Sequence, residues 1–214
     1  MEHESLGTVT PRRFGTAAFM RLRNADGGEV AACGNATRCV ALLLMRESGQ
    51  SAVTLETAAG LLTATAAADG QVTVDMGPPV FEWLRVPFDP AQAMRVARPE
   101  VGWETWRLSL PDGSTPEVAV VSMGNAHAVQ WVDDIDTAPV LTQGPLIEHH
   151  AAFPRRANVG FLQAESRSRV RLRVFERGAG ETLACGTGAC AAVVAGVRLG
   201  LLDPQVEVLT RGGK

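Results

Sequence analysis

A chain of 214 residues, 46% hydrophobic and 20% charged, can bury a sizeable core in one large or two small domains and has the composition of an ordinary globular protein. Its formal net charge of −3 lacks the basic excess of a nucleic-acid-binding protein, and no apolar run approaches the roughly 18 residues of a membrane span. Four cysteines, after a polar start from Met1 to Phe14 that has no apolar leader stretch, point to a reducing cytoplasm rather than a disulfide framework.

Residues 1–18 show no period and read as an irregular lead-in. Phe19 to Asn24 alternates and predicts a strand with Arg21 and Arg23 facing solvent. A Gly-rich turn and a helix over Gly34–Glu47 follow, with Gly49 as the C-terminal glycine. Val53–Thr57, Leu61–Ala66 and Gln71–Asp75 read as strands, the last two joined by an Asp69-Gly70 hairpin turn. Gly77-Pro78-Pro79 breaks the pattern and separates a domain over 1–80 from one over 81–214.

Between 81 and 116, Pro87, Pro90, Pro99 and Pro111 punctuate short apolar pieces to which no element is assigned, and Trp103 and Trp106 are expected to serve core or linker packing rather than ligand contact. Glu117–Met123 and Ala128–Val132 read as strands flanking Gly124-Asn125-Ala126-His127. A short helix is expected over Leu141–His150 and a strand over Asn158–Ala164. Arg169–Phe175 alternates arginine with Val and Leu, so one face is buried and the other is a solvated arginine face, with an anion-binding stripe as the alternative. Ala191–Val197 is an apolar helical run ending near Gly200, and strand-like residues begin at Val206.

The last helix is preceded by Cys185 on a Gly-rich turn. A turn that opens a helix presents free backbone N–H groups and the positive end of the helix dipole. A thiol there is expected to have a lowered pKa, and the N–H groups of Gly186, Thr187 and Gly188 are expected to cradle a carboxylate. A lone cysteine would by default be a small buried residue, but this turn occurs twice. With Cys33 set on Cys185, Gly28 falls on Gly180, Glu29 on Glu181, Ala32 on Ala184, Gly34 on Gly186, and polar Asn24 on Glu176. Apolar helical runs, terminal glycines and strand-like stretches follow both. A repeat of this length means one unit was built twice. Two thiols at two helix starts suit inversion at a carbon: one removes a proton, the other delivers one to the opposite face, and the N–H donors stabilise the enolate-like intermediate.

Five segments carry a family likeness: Asn24-Ala-Asp-Gly-Gly-Glu29, Ala32-Cys-Gly-Asn-Ala-Thr-Arg-Cys39, Ser122-Met-Gly-Asn-Ala-His127, Asn158-Val-Gly-Phe161 and Glu176-Arg-Gly-Ala-Gly-Glu-Thr-Leu-Ala-Cys-Gly-Thr-Gly-Ala-Cys190. Together they resemble the diaminopimelate epimerases. The resemblance implies an α+β fold of two pseudo-symmetric domains, each a mixed β-sheet or barrel around a central helix. It also implies cofactor-independent epimerisation of LL-2,6-diaminoheptanedioate to the meso form, in bacterial lysine and peptidoglycan precursor biosynthesis. Cys33 and Cys185 would be the acid/base pair, Cys33 taking the proton from the LL substrate and Cys185 from the meso form. Gly34, Asn35, Gly186 and Thr187 would hold the reacting carboxylate, while Asn24, Asn125, Asn158, Glu176 and Arg177 would recognise the unreacting end. His127 and Glu176 would polarise the thiols. The resemblance implies a small-molecule substrate, no metal and no cofactor, no nucleic-acid or membrane partner, and a homodimer. Relative to the family, an N-terminal segment with a Gly-Asn-Asp-Phe motif and the closing C-terminal strands have no counterpart.

Other readings stay open. A related racemase without pyridoxal phosphate, of the proline or hydroxyproline type, would share the thiols but not need the distal-end set. An inactive, truncated thiol protein would carry the cysteines without a closed site. Cys39 and Cys190, inside their helices, are expected to pack in the core, Glu29 and Glu181 to hold their turns, and His3, His149 and His150 show no metal-ligand spacing with the cysteines.

Overall fold

A computed structural model describes residues 15–23, 27–30 and 33–213. The chain divides into two compact units, Met1–Pro78 and Pro79–Lys214.

In the first unit the strands are β1 (Ala18–Phe19), β2 (Leu22–Arg23), β3 (Glu29–Val30), β4 (Ala52–Thr57), β5 (Gly60–Ala66) and β6 (Val72–Asp75), with helix α1 (Gly34–Ser48) between β3 and β4. β1 pairs in parallel with β4, which runs antiparallel to β5 and β5 to β6, giving the mixed order β1-β4-β5-β6. The single strand expected over Phe19–Asn24 is two short pieces. The Met20 N–H still bonds Glu56 O at 2.7 Å; then Leu22 changes partner and pairs with Val30. Arg21 and Arg23 are exposed, and Asn24 lies outside the described residues. Gly34, Thr37, Ala41 and Met45 form the buried stripe of α1, a helical spacing, and Ala41 and Met45 pack with Val53, Leu55, Ala64 and Val72. Gly49 closes the helix at φ +70°, where glycine carries no Cβ penalty.

The second unit contains β7 (Met94–Arg98), β8 (Trp103–Arg107), β9 (Glu117–Ser122), β10 (Ala126–Trp131), β11 (Asn158–Ser166), β12 (Arg169–Glu176), β13 (Gly180–Thr182) and β14 (Glu207–Leu209), with helices α2 (Val140–Glu148) and α3 (Gly186–Arg198). Among the described residues the sheet runs β13-β12-β11-β10-β9-β8-β7, with β14 also paired to β12. The β10–β11 and β12–β14 pairs are parallel and the others antiparallel. β7 and β8 occupy the stretch to which no element was assigned. Pro90 and Pro99 do not break these strands; each opens a 3-10 turn beside one, where the missing N–H costs nothing. Trp103 and Trp106 are buried, Trp106 edge-on to Trp83 and Phe88.

Both faces of this sheet are covered. Successive strand residues point to opposite faces. A Cβ on Gly188 of α3 would lie 3.0 Å from Val174 Cγ2, whereas one on Gly144 of α2 would lie 2.6 Å from Phe175 Cγ. The two helices therefore sit against adjacent residues of β12, on opposite sides. That explains why β9, β10 and β11 each bury four or five consecutive residues rather than alternating. β12 alternates as expected, with Val170, Leu172 and Val174 buried.

Candidate active site

Cys33 and Cys185 occupy the same local position in their two units. Each is the N-cap of a helix in extended backbone, Cys33 at φ −142°, ψ 112° before α1 and Cys185 at φ −131°, ψ 111° before α3. The first-turn N–H groups of Gly34 and Asn35, and of Gly186 and Thr187, open those helices, the position at which a helix start suits an anion. The two thiols differ in their surroundings. Cys33 is half-buried and makes no side-chain cap bond, and its carbonyl accepts from Thr37 N at 2.9 Å and Thr37 Oγ1 at 2.8 Å.

Cys185 is 6% exposed. Its Sγ accepts from the Gly188 N–H at 3.4 Å and lies 3.5 Å from Thr187 Oγ1. The lowered pKa expected for this thiol is overturned: burial, with the adjacent Glu176 carboxylate adding to it, pushes Cys185 up to about 12, against the opposing Thr187 and Gly188 bonds. Desolvation of a thiolate in a packed helix start outweighs the dipole that the sequence advertises. The expected carboxylate cradle also narrows, since the Gly188 N–H serves the sulfur.

A hydrogen-bonded chain leads away from Cys185. Thr187 Oγ1 accepts from Asn125 Nδ2 at 3.4 Å, which leaves the threonine hydrogen for Sγ. Asn125 Oδ1 in turn lies 3.0 Å from His127 Nε2, so that nitrogen carries the ring proton. Asn125 stands on the turn between β9 and β10, where Gly124 takes φ +88°. His127 is thus linked to Cys185 through two intermediaries. Its ring is buried, and burial, with the positive charge of Arg177, pulls its pKa down to about 3, so it is neutral near pH 7.

The sign of the resulting pH effect is fixed. An unfolded histidine takes its proton near 6.5 and the folded one only near 3, so between those values the unfolded chain binds more protons. Stability is present in full above pH 6.5 and falls as the pH drops towards 3, by up to about 1.4 kcal/mol per unit. Urea denaturation at pH 7 and pH 4.5 should show this loss, and His127→Gln should flatten it.

The remaining candidates gather at the end of β12. Asn158, first residue of β11 and buried, donates to Ala126 O at 3.4 Å and accepts the Arg177 N–H at 2.9 Å. Glu176 ends β12 and accepts from the Thr182 hydroxyl. Arg177 donates through Nη1 to Arg155 O at 3.1 Å. Thr182 and Glu148 were not singled out in the sequence. Thr182 lies within the Cys185 motif, which was its only signal; Glu148 has none, because nothing local ties a helix-end carboxylate to a turn 30 residues on.

Other expectations resolve plainly. Cys39 is exposed, not in the core, whereas Cys190 is half-buried with its thiol pushed up by burial. Glu181 pairs with Arg173 at 2.7 Å and Arg211 at 3.2 Å, and Glu29 with Arg21 at 3.5 Å. Arg171 holds Asp136 at 2.7 Å and Arg169 holds Glu165 at 3.0 Å, so the arginines of β12 are spent on carboxylates rather than forming an anion stripe. Among the described residues no helix is long and apolar enough to cross a membrane.

Two solved structures share this fold. A hydroxyproline epimerase from Agrobacterium vitis with bound trans-4-OH-L-proline superposes with a TM-score of 0.64 at 20% identity, covering 97% of this chain and 63% of that one. A probable proline racemase from Agrobacterium radiobacter K84 gives 0.63 at 20% identity, covering 91% and 60%. The sequence is more particular. The family model described as diaminopimelate epimerase matches residues 7–82 and 119–214. The diaminopimelate epimerase of Variovorax paradoxus (strain S110) is 58% identical over 216 residues, spanning 96% of this chain and 72% of that protein. That of Albidiferax ferrireducens is 55% identical over 200 residues, spanning 90% and 67%. The chain belongs to the diaminopimelate epimerase family, a family of isomerases.

Proposed function

We propose that this chain carries the interconversion of LL- and meso-2,6-diaminoheptanedioate without a cofactor, serving lysine and peptidoglycan precursor synthesis in the cytoplasm, as a homodimer. Inversion at one carbon needs a base on one face and an acid on the other. Cys33, as thiolate, takes the Cα proton of the LL substrate. The electron pair passes into the α-carboxylate, stabilised by the N–H groups of Gly34, Asn35, Gly186 and Thr187. The Cys185 thiol gives its proton to the opposite face, leaving Cys33 as thiol and Cys185 as thiolate, which is the state that runs the reverse reaction. Asn24, Asn125, Asn158, Glu176 and Arg177 select the distal ammonium and carboxylate.

The observation that carries this reading is the condition of Cys185, a buried thiol at a helix start, beside Glu176 and with its pKa raised to about 12. It holds its proton at neutral pH, as the donor in the LL-to-meso direction must. Thr187 and Gly188 stand ready to stabilise the thiolate once the proton has gone.

The test is Cα exchange of LL-diaminopimelate in D₂O followed by NMR, with meso product resolved by chiral chromatography and free proline as the comparison substrate. Deuterium at Cα with meso product, and no exchange of proline, is the expected result. Exchange of proline alone would replace this reading with a proline-type racemase, and no exchange of either by a folded chain would end it.

A further inference from the structure

Glu148 is a carboxylate in an unfavourable place. It is the last residue of α2, where the negative end of the helix dipole opposes it, and it is 3% exposed. Its Oε1 accepts the Gly178 N–H at 3.0 Å and lies 3.6 Å from Arg156 Nη1, while Oε2 lies 3.6 Å from His149 Nδ1. Replacing a whole buried ion pair by packed apolar residues is often neutral or stabilising for a fold, so the pairing of Glu148 is weak evidence of a purely stabilising role.

What the carboxylate does is hold a turn. Residues 176–180 leave β12 through Gly178 at φ +73° and Gly180 at φ +80°, with the Ala179 N–H on Glu176 O at 3.0 Å. Two successive peptide N–H groups of this turn are taken by buried side chains from other elements: Arg177 N–H by Asn158 of β11 and Gly178 N–H by Glu148 of α2. The 153–156 loop completes the arrangement. Arg156 holds a left-handed backbone at φ +59°, uncommon for a side chain of its size, and carries the guanidinium facing Glu148. Its neighbour Arg155 offers the carbonyl that takes Arg177 Nη1.

We infer that Glu148, supported by Arg156, is a positioning residue that aims Glu176 and Arg177 at the distal end of the substrate. The inference rests on the diaminopimelate reading above and adds to it a group that never touches the substrate.

The test uses Glu148→Ala and Glu148→Gln in the full chain. Hydrogen exchange across 176–180, read by mass spectrometry, needs no turnover; removing the acceptor should speed exchange at Gly178 about tenfold or more. In Glu148→Ala the KM for LL-diaminopimelate should rise about tenfold with kcat within about twofold, a loss of binding shared by ground and transition states. Slow Cα exchange of 2-aminoheptanoate, which lacks the distal groups, should not change. Glu148→Gln keeps an oxygen for the Gly178 N–H and should restore both protection and KM, and it serves where the alanine variant fails to fold. Unchanged Gly178 exchange in Glu148→Ala, or equal losses on both substrates, overturns the inference. Wild-type protein that does not turn over diaminopimelate overturns the preceding reading instead, and the exchange arm still decides whether Glu148 holds the turn.

Discussion

Cys185→Ala should lose conversion of LL- to meso-diaminopimelate by about 10²–10⁴-fold, the usual worth of a positioned acid or base. Cys33→Ala should lose a similar amount. The double variant should be little worse than either single one, because a base without its opposing acid cannot complete an inversion and residues acting as a unit are not additive. The Cys185 substitution removes one buried sulfur, together with the Gly188 and Thr187 contacts to it, so circular dichroism should stay close to wild type and the urea midpoint should fall only by the roughly 1 kcal/mol of a lost helix cap. Chiral analysis of the product decides the matter: a Cys185→Ala protein that still forms meso product within tenfold of wild type would remove Cys185 from the chemistry.

The second large effect is on stability. Phe161 is fully buried in the middle of β11, in register with Gln130 of β10 and Arg173 of β12, within the cluster that includes Phe153, Val159 and Ile147. Phe161→Ala should cost about 3–5 kcal/mol, combining lost transfer free energy with a cavity that strands paired on both sides cannot close. Urea denaturation would show it as a lower midpoint. A cost below about 1 kcal/mol would mean that the core collapses around the gap.

The correction at Cys185 shows where sequence reasoning stops. A Gly-rich turn before a helix is a local signal, and it placed the thiol at the N-cap. Two non-local facts outweigh the helix dipole there: α3 packs against β12 through Gly188 and Val174, drying the sulfur, and Glu176 at the end of β12 brings a like charge beside it. Desolvation and a neighbouring carboxylate both favour the thiol form, and neither is visible in the residues around Cys185. The same limit hid Glu148, whose partner lies 30 residues away in sequence.

What the sequence by itself determined is what depends on neighbouring residues: a helix over Gly34–Glu47 and another through Ala191–Val197, the hairpin at Asp69-Gly70, the alternating face of β12, and the cysteines at the start of each helix. Periodicity, turn chemistry and capping act over a few residues, so the chain displays them directly. Only the tertiary structure decided that β7 and β8 form at all, since their short, proline-flanked pieces become strands by pairing with each other and with β9. It decided likewise that His127 bonds Asn125, and that the turn bearing Glu176 and Arg177 hangs from two buried side chains. Each of these depends on which distant group loses its water to which neighbour, and burial of that kind is set by packing rather than by sequence distance.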